Sequence, residues 1–196
     1  MTEAAPPCAG QLSFVESLSV LDQPPKSVGN ELTIVFFNDS DKFHWQKPAD
    51  ELCDARTGVI CSPNNFDYGP DDGKMADNLI RITALANFDR WETLDEEAYR
   101  LEKLRWYDRT AASAVRFVPD FRNRVIDTDM FTPMTIRRFT GHENGAIYGA
   151  PHKQLDGMTG IQNLYLCGTD QGYLGIVGAL ISGVSMSNRH CLMAEE

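Results

Sequence analysis

Near the C-terminal end, Asn163-Leu164-Tyr165-Leu166-Cys167 leads into Gly168-Thr169-Asp170-Gln171-Gly172-Tyr173-Leu174-Gly175. A helical pattern follows from about Ile176 to Met193, with the small residues Gly178, Ala179, Ser182 and Gly183 along it. A buried strand, a glycine-rich turn and a helix built from small residues are what a bound nucleotide cofactor needs. Glycines let the backbone approach a ligand and adopt positive φ. The first N–H groups of a helix have no partner within it and, with the helix dipole, offer donors to anionic or electron-rich atoms. The same layout also arises from tight strand–helix packing, so physics alone leaves both readings open.

Other chemistry-bearing residues are scattered. His44, His142, His152 and His190 show no HxH or HxxxH spacing, so no metal site is expected. No GxSxG occurs, which leaves hydrolase chemistry without support. The cysteines (Cys8, Cys53, Cys61, Cys167, Cys191) are odd in number and form no CxxC, against both a zinc site and a disulfide framework. Cys53 and Cys61 read as ordinary buried or half-buried thiols, and Cys167 as a small hydrophobe packed under the glycine turn. His142, in Gly141-His142-Glu143-Asn144, reads as a surface-loop histidine in preference to one facing a ligand. Arg137 and Arg138 are adjacent and point to different sides of any regular element, so one of them lies on the surface. No side chain is assigned a catalytic role.

The run from Asn163 to Gly172, continuing through Leu174-Gly175-Ile176-Val177-Gly178-Ala179, resembles the closing FAD segment of the phytoene desaturase, carotenoid isomerase and retinol saturase family of oxidoreductases. A second stretch strengthens the resemblance. Thr132-Pro133, Arg137-Arg138-Phe139 and Asn144-Gly145-Ala146-Ile147-Tyr148-Gly149 are similar to the family's segment that precedes the flavin motif. The resemblance implies FAD as cofactor. It implies that Gly168, Thr169 and Asp170 contact the ribityl and phosphate portion, and that Gly175, Ile176 and Val177 lie at the pyrimidine edge of the isoalloxazine. Their N–H groups would stabilise the negative charge of a reduced flavin. Tyr148 and Gly149 would line the flavin side of an apolar substrate tunnel; read without the resemblance, Tyr148 is a core aromatic and Gly149 a turn residue. The implied substrate is an apolar isoprenoid, either a carotenoid or a retinoid.

One departure from the family is large. Its enzymes open with a dinucleotide-binding unit bearing GxGxxG, and no GxGxxG occurs in these 196 residues. The expectation is therefore a fragment of a longer flavoprotein, whose missing N-terminal dinucleotide-binding domain would be its natural partner. Alone, the chain is expected to bind FAD weakly or not at all. Apolar residues around Leu164, Leu166, Ile176, Leu180 and Ile181 would then be uncovered and favour a homodimer.

The elements that must position these residues are mostly strands. Gln11–Val20, Leu32–Phe37, Thr57–Cys61 and Asn78–Ala86 carry strand-like runs, and Val125–Thr128 reads as a further one. Strands in succession without intervening helices imply an antiparallel or mixed sheet. One helix is expected from a Thr93–Glu96 capping box onward, with an apolar stripe of Leu101, Leu104, Tyr107, Ala111, Val115 and Val118, ended by Pro119. Phe131 to Gly160 reads as loop-rich. The predicted class is α+β: a largely antiparallel substrate-domain sheet with a packing helix over residues 1–130, then a strand–turn–helix FAD-binding segment over 131–196. The aromatic residues Phe36, Phe37, Phe66, Tyr68, Phe88 and Trp91 are expected in the sheet's core in preference to a tunnel wall.

Bulk properties narrow the class further. The formal net charge of −10 argues against nucleic acid as a partner, because phosphate binding needs clustered Lys and Arg. No apolar run approaches the ~20 residues of a membrane-spanning helix, and residues 1–14 lack the pattern of a secretory signal. A cytoplasmic location follows, with the intact enzyme able to sit at a membrane surface. Against the enzyme reading stand a non-catalytic lipid- or protein-binding module of the same fold and a relative of the flavin amine oxidases.

Overall fold

The computed structural model describes residues 9–44, 47–70, 72–73 and 75–193. Residues 1–8, Cys8 among them, lie outside the described residues. Five strands, β1 (Ser13–Leu21), β2 (Ile34–Asn38), β3 (Cys53–Cys61), β4 (Asn78–Ala86) and β5 (Val125–Phe131), form one sheet in the order β2-β3-β4-β1-β5. Every neighbouring pair is antiparallel. The class is α+β, as the succession of strands implied. Strand β3 begins four residues earlier than its β-branched run, with a register break between Asp54 and Val59.

The sheet has two unlike faces. In β1 the odd-numbered residues from Ser13 to Leu21 are buried, and in β4 the even-numbered residues Ile80, Ile82, Ala84 and Ala86 are buried. This is the period-2 alternation of a strand with one face against a layer. The covering layer is α1 (Phe88–Glu92) and α2 (Glu96–Ala114). Ile60, Ile80, Ile82, Leu21 and Phe37 pack with Ala111, Ala114 and Phe121. Val15, Ala84 and Met130 pack with Trp91 and Trp106. Polar contacts also cross the layers: Ser17 Oγ and Thr110 Oγ1 share a hydrogen bond of 2.7 Å, and Ser19 Oγ and Tyr107 Oη one of 2.8 Å.

Helix α2 departs from the expected stripe. Its cap is Asp95, whose carboxylate accepts the Ala98 N–H at 2.8 Å, whereas Thr93 donates to the Arg90 carbonyl. The buried face is Trp106, Thr110, Ala111, Ser113 and Ala114, while Leu101 is 61% exposed and Leu104 is exposed too. Small residues let the helix backbone approach the sheet closely, and Trp106 fills the remaining space, so the leucines rotate outward. The helix ends at Ala114, ahead of Pro119.

Two further differences lie in the C-terminal third. Pro133–Thr140 is a helix, α3, inside the stretch read as loop. Thr132 caps it by accepting the Thr135 N–H, Pro133 opens it, and Gly141 (φ +71°) closes it. Asn163–Cys167 does not join a sheet, and only Met158 and Tyr165 form an isolated bridge. Apolar propensity cannot make a strand without a partner edge. The last element is α4 (Gly175–Ser187), continued by a wider turn over Asn188–Leu192. No helix is long and apolar enough to cross a membrane among the described residues.

Candidate functional site

The face of the sheet turned away from α2 is partly open. Phe14, Glu16, Val59, Thr83 and Leu85 form the floor of a cleft of about 560 Å³. Phe36 and Phe43 stand along one side, and Leu12, Ile147 and Tyr148 along another. Of the six aromatics expected in the core, Phe37, Phe88 and Trp91 are buried, although Phe37 also reaches the cleft. Phe36 is 80% exposed and borders the cleft, and Phe66 and Tyr68 are exposed in the loop before β4.

The segment that closes the cleft is pinned to the start of β1. Ser13 Oγ donates to the Gly145 carbonyl at 2.7 Å, the Ile147 N–H to the Leu12 carbonyl at 2.8 Å, and Asn144 Nδ2 to the Gly10 carbonyl at 3.0 Å. Tyr148 has φ +63°, a left-handed conformation that a bulky L residue rarely adopts. It is held there between anchored neighbours. Its ring is half exposed at the cleft, and its carbonyl accepts from Lys153 Nζ.

Gly149 follows at φ +67°, and a Cβ there would collide with Asp170 Oδ1. That carboxylate oxygen accepts the Ala150 N–H at 2.5 Å. One loop therefore borders the cleft with Ile147 and Tyr148 and touches the glycine-rich turn with Gly149 and Ala150. Gly149, Thr169 and Asp170 share a smaller cavity of about 190 Å³ with His142 and Glu143. His142 is exposed, and its Nδ1 bonds the Ala146 carbonyl at 3.0 Å.

The turn rests on a buried polar network. Ser182 Oγ, in α4, accepts the Gly168 N–H at 2.6 Å and donates to Gln171 Oε1 at 2.5 Å. Gln171 Nε2 donates to the Leu155 carbonyl at 3.0 Å. Gly168 (φ +89°) and Gly175 (φ +73°) have nothing within 4 Å of where a Cβ would sit, so both backbones face open space. Leu174 precedes α4 and supplies no side-chain cap. Ile176 is 92% exposed, and Val177, Leu180, Ile181 and Leu164 are exposed as well. Cys167 is exposed, not packed beneath the turn: the bend at Gly168 turns it outward.

Of the residues singled out in the sequence, Gly149, Thr169 and Asp170 come together. Gly168 is tied to α4 through Ser182, and Gly175, Ile176 and Val177 begin that helix. Ser182 and Gln171, which hold the turn, went unassigned, and so did the ion pair between Glu16 and Arg81 on the cleft side of the sheet. An acidic residue at an even position of β1 and a basic one at an odd position of β4 were the available signal, legible only once the register is known.

The arrangement is an α+β fold with an apolar cleft on an antiparallel sheet beside a glycine-rich turn into a helix. Over 143 residues the chain is 22% identical to the all-trans-retinol 13,14-reductase of Danio rerio. That similarity is distant, covering 64% of this chain and 24% of the relative, so the chain spans about a quarter of the relative's length. No family model and no solved structure matches it.

Proposed function

We propose that this chain forms the substrate-facing sheet and cofactor-holding turn of an FAD-dependent oxidoreductase that desaturates, saturates or isomerises an isoprenoid, either a carotenoid or a retinoid. The observation that carries the reading is the shared loop: Ile147–Tyr148 edges the apolar cleft and Gly149–Ala150 contacts Asp170. A chain lying in the cleft would have its end beside whatever the turn holds.

The residues present fit a flavin nucleotide. Gly168 and Gly175 offer bare backbone with open space above it, and the start of α4 is uncapped. Gly168, Thr169 and Asp170 would hold the ribityl and phosphate portion, and Gly175, Ile176 and Val177 the isoalloxazine edge. Asp170 Oδ1 is engaged by Ala150, and its Oδ2 accepts nothing from the described residues, so that oxygen can take a hydroxyl. A bound flavin would supply the electron and hydride exchange. The chain's own part is to orient and to exclude water: the N–H groups of α4 favour negative charge at the helix start, and the cleft accommodates an apolar chain.

The relative's name, a retinol reductase, supports an isoprenoid substrate. A lipid-binding module is the second reading, favoured by the open cleft. Absorption spectra of the purified chain, before and after incubation with FAD and desalting, come first; a nearly colourless chain is expected. The protein encoded by the whole reading frame is then loaded with flavin, reduced and given all-trans-retinol or a cis-carotene. Altered product by chromatography supports the enzyme; tight binding of the polyene with no turnover supports the module. On the enzyme reading the exposed face of α4 packs against a second copy of the isolated chain, and light scattering that shows a clean monomer contradicts this.

A further inference from the structure

Among the residues that line the cleft Glu16 is the one charged side chain, beside the polar but uncharged Asn38, Thr57, Thr83 and Tyr148. Glu16 is buried to 6% exposure and lines the cleft. Its Oε1 accepts from Arg81 Nε, which reaches over from β4, two residues from Thr83, the cross-strand partner of Glu16. Bonding to Glu16 raises the pKa of Arg81 further, so the guanidinium stays charged. The pair is only half used. Arg81 spends one of five N–H donors on it, and neither Nη bonds another described residue. Glu16 Oε2 is likewise without a partner among the described residues.

A neutral pair that shows both a free acceptor and free donors has a chemical preference. A carboxylate meets the Glu16 charge, and an ammonium meets Arg81. An ether or ester oxygen can only accept. A hydroxyl can donate to Glu16 and accept from Arg81 at once. The position is also defined. Ile147, beside Tyr148, is bonded to Leu12, and Glu16 lies four residues further along extended backbone, about 13 Å away at the usual rise per residue.

We propose that Glu16, which lines the cleft, and its ion-pair partner Arg81, which stands beside the lining residues, are specificity-determining residues that receive the terminal hydroxyl of a long apolar ligand lying in the cleft, at the end away from Tyr148. This rests on the reading of the cleft as the substrate site and adds the class of substrate: a chain whose hydroxyl is remote from the reacting bond, not adjacent to it.

The test uses the full chain and a fluorescent polyene in three forms: parinaryl alcohol, its methyl ether, and parinaric acid. Fluorescence rises as each enters an apolar site. The alcohol is expected to bind about tenfold more tightly than the ether and the acid, the factor expected from one hydrogen bond to a charged group. In the E16L/R81M double variant, which replaces both charges with apolar groups, alcohol and ether should bind equally. Equal affinities of alcohol and ether for the wild type, or a preference that survives in the double variant, overturn the proposal while the cleft remains a substrate site. If none of the three binds, both readings fall. The wild-type comparison decides even if the double variant fails to fold.

Discussion

The Asp170 carboxylate accepts the Ala150 N–H at 2.5 Å, and this bond fastens the loop that edges the apolar cleft to the turn that opens into α4. The contact exists because residue 149 is glycine. Its φ of +67° aims the next N–H at Asp170, and any side chain would fall on the carboxylate itself.

Replacing Gly149 with Ala should therefore cost more than the strain of a left-handed alanine. That strain is about 1–2 kcal/mol, and displacing Asp170 adds a lost charged hydrogen bond of about 1.5–3 kcal/mol. Gly160 is the control, since it has φ +78° with nothing within 4 Å of the place a methyl group would take. In denaturant unfolding, Gly149→Ala should lose about 3 kcal/mol and Gly160→Ala about 1. Equal losses would mean that Asp170 moves aside freely and that the tie is incidental.

Ser182 offers an independent probe of the same turn. It is fully buried, and its hydroxyl serves Gly168 and Gln171 together. Ser182→Ala leaves a donor and an acceptor without partners, which costs about 1–3 kcal/mol. Hydrogen exchange should quicken at the Gly168 amide while the amides of β4 keep their protection. Uniform quickening across the sheet would show that the turn is not a separate unit.

What could be read from the residues follows from how local each cause is. Asn78–Ala86 was legible to the residue as a strand-like run, but not which side it buries, because Leu79 and Leu85 share a side with Arg81 and Thr83; the sheet buries Ile80, Ile82, Ala84 and Ala86. The orientation of α2 was not legible either, because hydrophobicity ranks Leu101 and Leu104 above Ala111, Ser113 and Ala114. Close packing against a sheet favours the small residues instead. Helix α3 had a signal, Thr132 before Pro133, that the surrounding glycines obscured. Asn163–Cys167 carries apolar strand propensity, but pairing is a property of two segments, and the contact with the stretch around Met158 stops at one bridge. The turn at Gly168 stood out through its glycines, whereas its support from Ser182, fourteen residues on, is a tertiary fact.

The thiols should separate cleanly by environment. Burial pushes Cys53 well above the usual thiol range and raises Cys61 as well, whereas Cys167 and Cys191 lie at the surface. Thiolate is the reactive form, so maleimide at pH 7 should label Cys167 and Cys191 rapidly, Cys61 slowly, and Cys53 only after unfolding. Peptide mass mapping over a time course reads this order. Early labelling of Cys53 in the folded protein would contradict the packing of that residue with Trp91 and Trp106.

Acid should weaken the fold through Asp54. Burial alone would raise its carboxyl, but Arg56 donates from Nε to Oδ1 at 2.9 Å and from Nη2 to Oδ2 at 2.7 Å, and its backbone N–H adds a third bond at 3.1 Å. These outweigh the burial and hold the carboxyl below its ordinary range. A carboxyl with a depressed folded pKa contributes stability above its unfolded value, about 3.9, and loses it as pH falls through the lower folded value. Wild type should therefore exceed Asp54→Asn in stability at pH 7, and the gap should close progressively below about pH 4. Asp120, held at about 2 by Arg122, is the comparison: that pair is exposed, and Asp120→Asn should change stability little at any pH. Thermal unfolding of the three proteins between pH 7 and pH 2 measures both gaps. A difference between wild type and Asp54→Asn that stays constant over that range would assign the loss to packing and not to the charge on Asp54.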